Sequence, residues 1–318
     1  MNILISMIPG ILMIATPIII AALGGLFCER SGIVNICLEG FMMVGGFVGA
    51  TLCFFLEQIP SISAYAGWLS IIGGAIAGCI YSSLLAISTV NFKADHTIAG
   101  TAINLLAGGL TLYLCQIIFQ QQRTNTFEVG ISRVEKIPVL GDIPLVGIMF
   151  RNIYPTIIIG ILAVFLTYFL VFKTGFGLRL RSCGENPQAS ASVGINVYKM
   201  RWIAILISGA LAGLAGSIMV LTSGIQYTIA SIHGVGFIAI AALIFGKWNP
   251  WGVLAASLFF GFSSNIGVYA SLIPILNLLP SEVFVAIPYA FTVIALIVTS
   301  SKAVGPKAAG QIYDAGKR

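Results

Sequence analysis

Nine apolar runs follow one another along the chain, at about residues 3–26, 33–56, 64–89, 97–119, 153–172, 202–222, 229–246, 251–271 and 283–299. Most have the roughly 17 to 25 residues that an α-helix needs to cross the hydrocarbon of a bilayer. Together they hold more apolar surface than a soluble core can cover, since 58% of the residues are hydrophobic and 8% are charged. They carry neither a sustained period of two nor a turn signal every ten residues, which argues against a membrane barrel. The chain therefore reads as an all-α integral membrane protein: one transmembrane domain over residues 1–318, a polytopic helical bundle of about 8 to 10 spans, some of them broken or short.

Charge sets the expected orientation. The polar segment 173–201, KTGFGLRLRSCGENPQASASVGINVYKMR, holds five of the 16 Lys and Arg (Lys173, Arg179, Arg181, Lys199, Arg201) against one acid, Glu185. Loops kept on the cytoplasmic side have this bias. With that segment inside and the runs crossing in sequence, Arg30, Lys93, Lys247, Lys302, Lys307, Lys317 and Arg318 also fall inside, and Arg123, Arg133, Lys136 and Arg151 fall outside. The C-terminus is then cytoplasmic, and nine crossings put the N-terminus outside. Segment 120–152, with Pro138 and Pro144, is the one sizeable external loop, a lid, a docking ledge or a plain connector. The first run lacks a basic leader and a small-residue cleavage site, so it reads as a retained span. The formal charge of +6 reflects cations near lipid headgroups and needs no nucleic-acid partner.

Inside segment 173–201 the sequence punctuates a short helix. Asn186 is suited to cap it, Pro187 to its first position and Gly194 to its close. Small residues recur at four-residue spacing in several spans (Gly45 and Gly49, Gly74 and Gly78, Gly209 and Gly213, Ala212 and Gly216), a pattern for close helix packing. Cys28, Cys37, Cys53, Cys79 and Cys115 lie in or beside spans and Cys183 is expected to face the cytosol; without a CxxC pair, no disulfide is implied.

Two stretches do not read as ordinary spans. In ERSGIVNICLEG, Asn35 and Glu39 are four apart, which would place them on one helix face, while Gly32 and Gly40 invite a discontinuity. A carboxylate at membrane depth costs about 2.5 to 3.5 kcal/mol on insertion scales, so Glu39 should face protein or water, whether as a helix cap, a partner of Asn35 or a functional group. In 232–252, IHGVGFIAIAALIFGKWNPWG, the apolar run is short for a crossing and ends at Lys247, an interfacial anchor, and Pro250. Broken helices at membrane depth line cavities or lie buried in protein.

Catalytic motifs are missing. His96 and His233 are far apart, no HExxH or acid cluster suggests a metal, and no G-x-S-x-G elbow suggests a hydrolase. The phosphate loop G-x-x-x-x-G-K-[ST] is also missing, for Lys247 follows Gly246 but precedes Trp248. The chain is not expected to be an enzyme or to carry a cofactor.

The segments ERSGIVNICLEG–FMMVGGFVGA, GLRLRSCGENPQASASVGINVYKMRW and GFIAIAALIFGKWNPWG resemble, in order over about residues 15–300, the permease subunits of bacterial ABC importers for simple sugars, branched-chain amino acids and nucleosides. G-E-N-P followed by G-I-N-V is the most specific element, and SGIVNICLEG with GKWNP is most similar to nucleoside permeases of the guanosine type. Cys37 departs from the glycine or other small residue usual at its position. The resemblance implies that 184–196 is a coupling helix gripped by a separate ATPase, with Gly184, Glu185, Asn186, Pro187, Ala189, Ser190, Gly194 and Asn196 as docking residues. It implies that Asn35, Glu39 and Gly40 lie beside the translocation route in the bacterial cytoplasmic membrane. The implied partners are an ATP-consuming ABC ATPase, a second permease, related but different, and an extracytoplasmic substrate-binding protein.

A nucleoside needs aromatic faces for its base and amides or hydroxyls for its edges. Asn35, Asn104, Gln116, Gln226, Ser264 and Asn265, with Tyr113, Tyr227 and Phe237, are the residues within or beside the runs that offer these; the expected route is Asn35, Glu39, Gly40, Asn104, Phe237 and Asn265. The same machine moving ribose or another simple sugar, and a secondary transporter with Glu39 as proton carrier, are the alternatives.

Overall fold

The structure, a computed structural model, describes residues 2–136, 151–232, 234–270, 290, 305–314 and 316. Among these the chain forms α1 (Asn2–Arg30), α2 (Leu38–Glu57), α3 (Ala66–Ala86), α4 (His96–Phe119), α5 (Thr156–Lys173), α6 (Gly175–Glu185), α7 (Pro187–Ser192), α8 (Val197–Ser223), α9 (Val235–Phe245) and α10 (Pro250–Ala270). Six segments, Met7–Arg30, Leu38–Glu57, Ser63–Asn91, His96–Phe119, Thr156–Lys173 and Val197–Ser223, are long and apolar enough to cross a membrane. The fold is the polytopic helical bundle that the composition requires. Strands β1 (Val134–Lys136) and β2 (Arg151–Ile153) pair antiparallel, Val134 opposite Ile153, and pinch the base of segment 120–152. The run 283–299 apart from residue 290, residues 137–150 with Pro138 and Pro144, His233, Lys302, Lys317 and Arg318 lie outside the described residues.

α8 is the central mast, packed along α1, α2 and α3. In lipid there is no hydrophobic drive to bring helices together, so they associate where small side chains let backbones approach. The four-residue pairs read from the sequence do this. A Cβ on Gly45 would overlap the backbone of Gly213, one on Gly213 would lie 2.8 Å from Gly78 Cα and against the Gly74 carbonyl, and one on Gly216 would overlap the Met42 backbone. Gly213 thus sits where α2, α3 and α8 meet. The opposite face of α3 presents Trp68, Ile72, Ile76, Ile80 and Leu84, all exposed and spaced by four, as an apolar stripe for lipid.

The described basic residues separate by end. Arg30, Lys93, Lys173, Arg179, Arg181, Lys199, Arg201, Lys247 and Lys307 belong to the end where α1, α3, α5 and α9 finish, and Arg123, Arg133, Lys136 and Arg151 to the other. At that second end Glu57 closes α2 and gathers the loop after α4, accepting the N–H groups of Glu128 (2.8 Å), Val129 (2.8 Å) and Gly130 (3.0 Å). Part of the expected external loop is therefore packed onto the bundle, with Phe127 and Ile131 buried.

Gly213→Ala is expected to destabilise the bundle by about 1–3 kcal/mol through overpacking, while Gly108→Ala, at a site with nothing within 4 Å, should be neutral or stabilise the helix. Thermal unfolding of the two variants in detergent checks the contrast.

Candidate functional site

The helix break read in ERSGIVNICLEG is real, and its register differs from the expected one. α1 closes in a glycine motif: Gly32 stands at φ 93°, its N–H donates to Glu29 O (2.9 Å), and Ile33 N–H donates to Cys28 O (3.3 Å). The chain then runs non-helically until α2 starts at Leu38. Asn35 therefore lies in the break and does not share a helix face with Glu39; the left-handed turn at Gly32 ends one helix, and Cys37 stands at the head of the next. The break is deep. The Asn35 side chain donates to Ser208 Oγ at 2.8 Å, and Ser208 is about 16 Å along α8 from its start.

Backbone groups exposed by a break at that depth have no water to turn to. Side-chain amides satisfy them. Asn104, on α4, accepts the Gly40 N–H at 2.8 Å and donates to Ile36 O at 2.9 Å. Asn35 Oδ1 accepts the Cys37 N–H (3.2 Å), and His96 Nδ1 accepts that of Val34 (3.4 Å). Gly40 has no room for a side chain, since a Cβ would lie 2.8 Å from Asn104 Oδ1. Glu39, 4% exposed, reaches sideways and accepts the Gly234 N–H at 2.7 Å. Gly234 heads α9, so a carboxylate meets the positive end of a short helix. Gly236 packs on the Glu39 backbone, which puts half-exposed Phe237 beside the break.

Five of the six residues expected along the route, Asn35, Glu39, Gly40, Asn104 and Phe237, thus come together around the head of α2. Asn265 does not. It is buried on α10 and donates to Met7 O at 3.0 Å, near the opposite end of α1, where it joins two helices. One face of α4 was not singled out by sequence reasoning. Thr101, Leu105, Gly109, Tyr113 and Gln116 are exposed at spacings of three and four, a mixed face on which Thr101, Tyr113 and Gln116 stand beside Leu105 and Gly109, unlike the wholly apolar stripe on α3. Tyr113 and Gln116 had the right chemistry, but only the packing reveals that they share an open face.

The second unusual stretch is the partner of the first. α9 ends at Phe245, and Lys247 and Trp248 both take positive φ (52° and 51°), a conformation that costs a non-glycine residue of order 1–2 kcal/mol. The end of α1 holds this turn: Glu29 accepts the Trp248 indole N–H at 2.5 Å, and the Arg30 guanidinium donates to Trp248 O at 2.9 Å. Glu-Arg and Lys-Trp, 219 residues apart in the chain, are one contact. Lys247 itself is exposed.

The short helix in segment 173–201 forms as its punctuation dictates. Asn186 caps α7 by accepting the Ala189 N–H at 3.0 Å, with Pro187 at the first position. Gly194 at φ 86° ends it, donating to Ala191 O while Ile195 N–H donates to Ser190 O. Asn196 caps α8 through the Lys199 N–H at 2.9 Å. Glu185, Asn186, Ala189, Gly194 and Asn196 are exposed; Gly184, Pro187 and Ser190 are buried and fix the helix to the bundle. Cys183 corrects the expected cytosolic thiol. It is fully buried on the inner face of α6, one turn past Leu180, and burial raises its pKa. All six cysteines are free thiols.

Residues 305–314 sew these pieces together. Ala308 N–H donates to Gly184 O (2.9 Å) and Gly310 N–H to Gly32 O (3.0 Å). The buried Arg201 donates to Gln311 O (3.2 Å) and lies over the Tyr313 ring, and Lys93 pairs with Asp314 at 2.9 Å. Gly184 also packs against the Arg30 carbonyl. The α6–α7 segment, the break and the Trp248 turn are thereby one connected unit.

Residues 7–296 match the family described as branched-chain amino acid transport system / permease component. The chain is 43% identical, over 100% of its length and 99% of the relative's, to guanosine ABC transporter permease protein NupQ of Bacillus subtilis (strain 168). It is 42% identical to nucleoside ABC transporter permease protein NupC of Lactococcus lactis subsp. cremoris (strain MG1363), over 98% of each chain. To guanosine ABC transporter permease protein NupP of the same Bacillus strain it is 29% identical, over 91% of this chain and 80% of the relative. No solved structure matches the chain.

Asn104→Leu strands the Gly40 N–H and the Ile36 carbonyl, each at a cost of about 1–3 kcal/mol, so its melting temperature in detergent should fall well below that of the parent. Tyr113→Ala with Gln116→Ala removes exposed groups only. Melting should be unchanged, and solute uptake in vesicles should fall roughly tenfold, the loss of one stacking contact of about 1–3 kcal/mol; Ile76→Ala, on the apolar stripe of α3, should leave uptake intact.

Proposed function

This chain belongs to the branched-chain amino acid transport system / permease component family, and on that premise we propose that it is the membrane subunit of a bacterial ABC importer that carries nucleosides inward. The observation that carries this reading is its identity of 42–43%, over essentially its whole length, with permeases named for guanosine and for nucleosides. The open stripe of α4 supports it chemically. Threonine, tyrosine and glutamine offer a stacking face and uncharged hydrogen-bonding groups, the surface that a neutral base and sugar need for passage without tight binding.

The route runs along that stripe and past Phe237 at the head of α2. Asn35, Asn104 and Glu39 act there by holding the break in shape. Glu39 serves as the anchor of α9, and its bond to Gly234 favours that role over proton carriage. In the bacterial cytoplasmic membrane the basic end faces the cytosol, as the charge bias of short loops favours, and the C-terminus is cytoplasmic. α7 then projects from the inner surface with Glu185, Asn186 and Ala189 outward, as the grip for a separate ATPase that hydrolyses ATP on behalf of this chain. Because residues 305–314 join Gly184, at the end of α6 just before α7, to Gly32 at the break, a push on α7 is passed through the end of α6 to the head of α2 and the start of α9. Two guanosine permeases of one Bacillus strain are both similar to this chain, which supports a second, related permease as its partner. A substrate-binding protein outside the membrane delivers the solute.

Reconstitution with the ATPase, the second permease and the binding protein tests this. Unlabelled guanosine or another nucleoside in about hundredfold excess over the uptake constant should suppress labelled nucleoside uptake almost fully, and ribose or glucose should not. Replacement of Asn186 to Gly194 by a flexible Gly-Ser linker should abolish ATP-driven uptake while the bundle still melts cooperatively. Uptake that survives the replacement removes the coupling role, and suppression by sugars alone removes the nucleoside assignment.

A further inference from the structure

A groove opens on the α8 side of the coupling segment. Phe176 and Arg179 of α6, the 193–196 turn, and Lys199, Met200 and Ile203 of α8 line a cavity of about 440 Å³. That lies within the ~300–1,000 Å³ of small-molecule sites. Its chemistry is divided by depth. Arg179 and Lys199 stand exposed at the rim. Ile203, one turn further along α8, and Met200 and Phe176 form an apolar floor. α6 begins two residues after the candidate span Thr156–Lys173 ends, which sets the basic rim close to the end of a span, where lipid headgroups lie.

None of the lining residues is acidic. Neither Arg179 nor Lys199 is in an ion pair among the described residues, where the ion pair is Lys93–Asp314. Two unneutralised cations over an apolar floor at the membrane surface match one occupant in charge and polarity. We propose that this groove binds the phosphodiester headgroup of an anionic phospholipid, with the acyl chains running down past Ile203. The exposed residues around the start of α7, Glu185, Asn186 and Ala189, are not part of it; Gly194 and Asn196 form the rim shared with the ATPase grip. The site needs only a bilayer, so it stands whether or not the coupling reading holds. A lipid seated there ties the turn that ends α7 to the membrane surface, and makes the position of the grip sensitive to the lipid present.

Native mass spectrometry of the full chain in mild detergent, titrated with phosphatidylglycerol or phosphatidylcholine of the same acyl chains, tests this. The wild type should prefer phosphatidylglycerol roughly tenfold or more, as two basic side chains at one headgroup should produce. Arg179→Gln with Lys199→Gln should lose that preference, and Arg179→Lys should keep it. Both residues are exposed, so the double variant should melt like the parent. Equal binding of the two lipids by the wild type, or an unchanged preference in the double variant, overturns the proposal. So does displacement of the lipid by inorganic phosphate, which would make the site a simple anion site, or by the docked ATPase, which would make the groove part of the protein interface.

Discussion

The constraint on which the rest of the molecule depends is the backbone of residues 31–37, a helix interruption packed largely inside the protein. Every free N–H and C=O at that depth must find a protein partner or cost of order 1–3 kcal/mol. The partners come from helices that are otherwise unrelated to the break: Asn104 from α4, Ser208 from α8 through Asn35, and His96 at the start of α4. The interruption therefore fixes how α2, α4 and α8 sit against one another. Glu39 extends the same logic to α9, whose head is held by a carboxylate at the start of α2.

The same end of the bundle explains why distant segments of the chain belong together. The strained Lys247–Trp248 turn is held by Glu29 and Arg30, the last residues before the break. Gly184, which precedes the α7 cap, rests on the Arg30 carbonyl, and residues 305–314 bond to both Gly184 and Gly32. Three stretches that look like separate motifs in the sequence are one structural unit. On the proposed reading, the main-chain bonds of residues 305–314 to Gly184 and Gly32 are the link by which a force at α7 is passed to the break.

The spans were legible because membrane helices are written in composition, and the seams because glycine at four-residue spacing has few other uses. α7 was legible down to its caps: asparagine, proline and glycine each occupy the position that their backbone chemistry suits. The break was legible in place and wrong in register. A spacing of four from Asn35 to Glu39 implies one helix face only if the helix is continuous, and the turn at Gly32 delays its start to Leu38. Three features left little trace. Residues 305–314 tie Gly184 to Gly32 through main-chain groups, which no side-chain pattern records. The open stripe of α4 and the burial of Cys183 depend on which neighbours pack where, so Tyr113 and Gln116 were visible as chemistry but not as a surface, and Asn265 looked like a route residue although it ties α10 to α1.

The central claim is that α7 and the break move as one body. Spin labels at Ser192 on α7, Val34 in the break and Gln58 at the far end of α2, compared pairwise in the assembled transporter with and without ATP, test it most directly. The account predicts that the Ser192–Val34 separation stays constant through the cycle while distances from these two sites to a label on the partner permease change. A Ser192–Val34 separation that changes with ATP while Val34 and Gln58 hold still would contradict it.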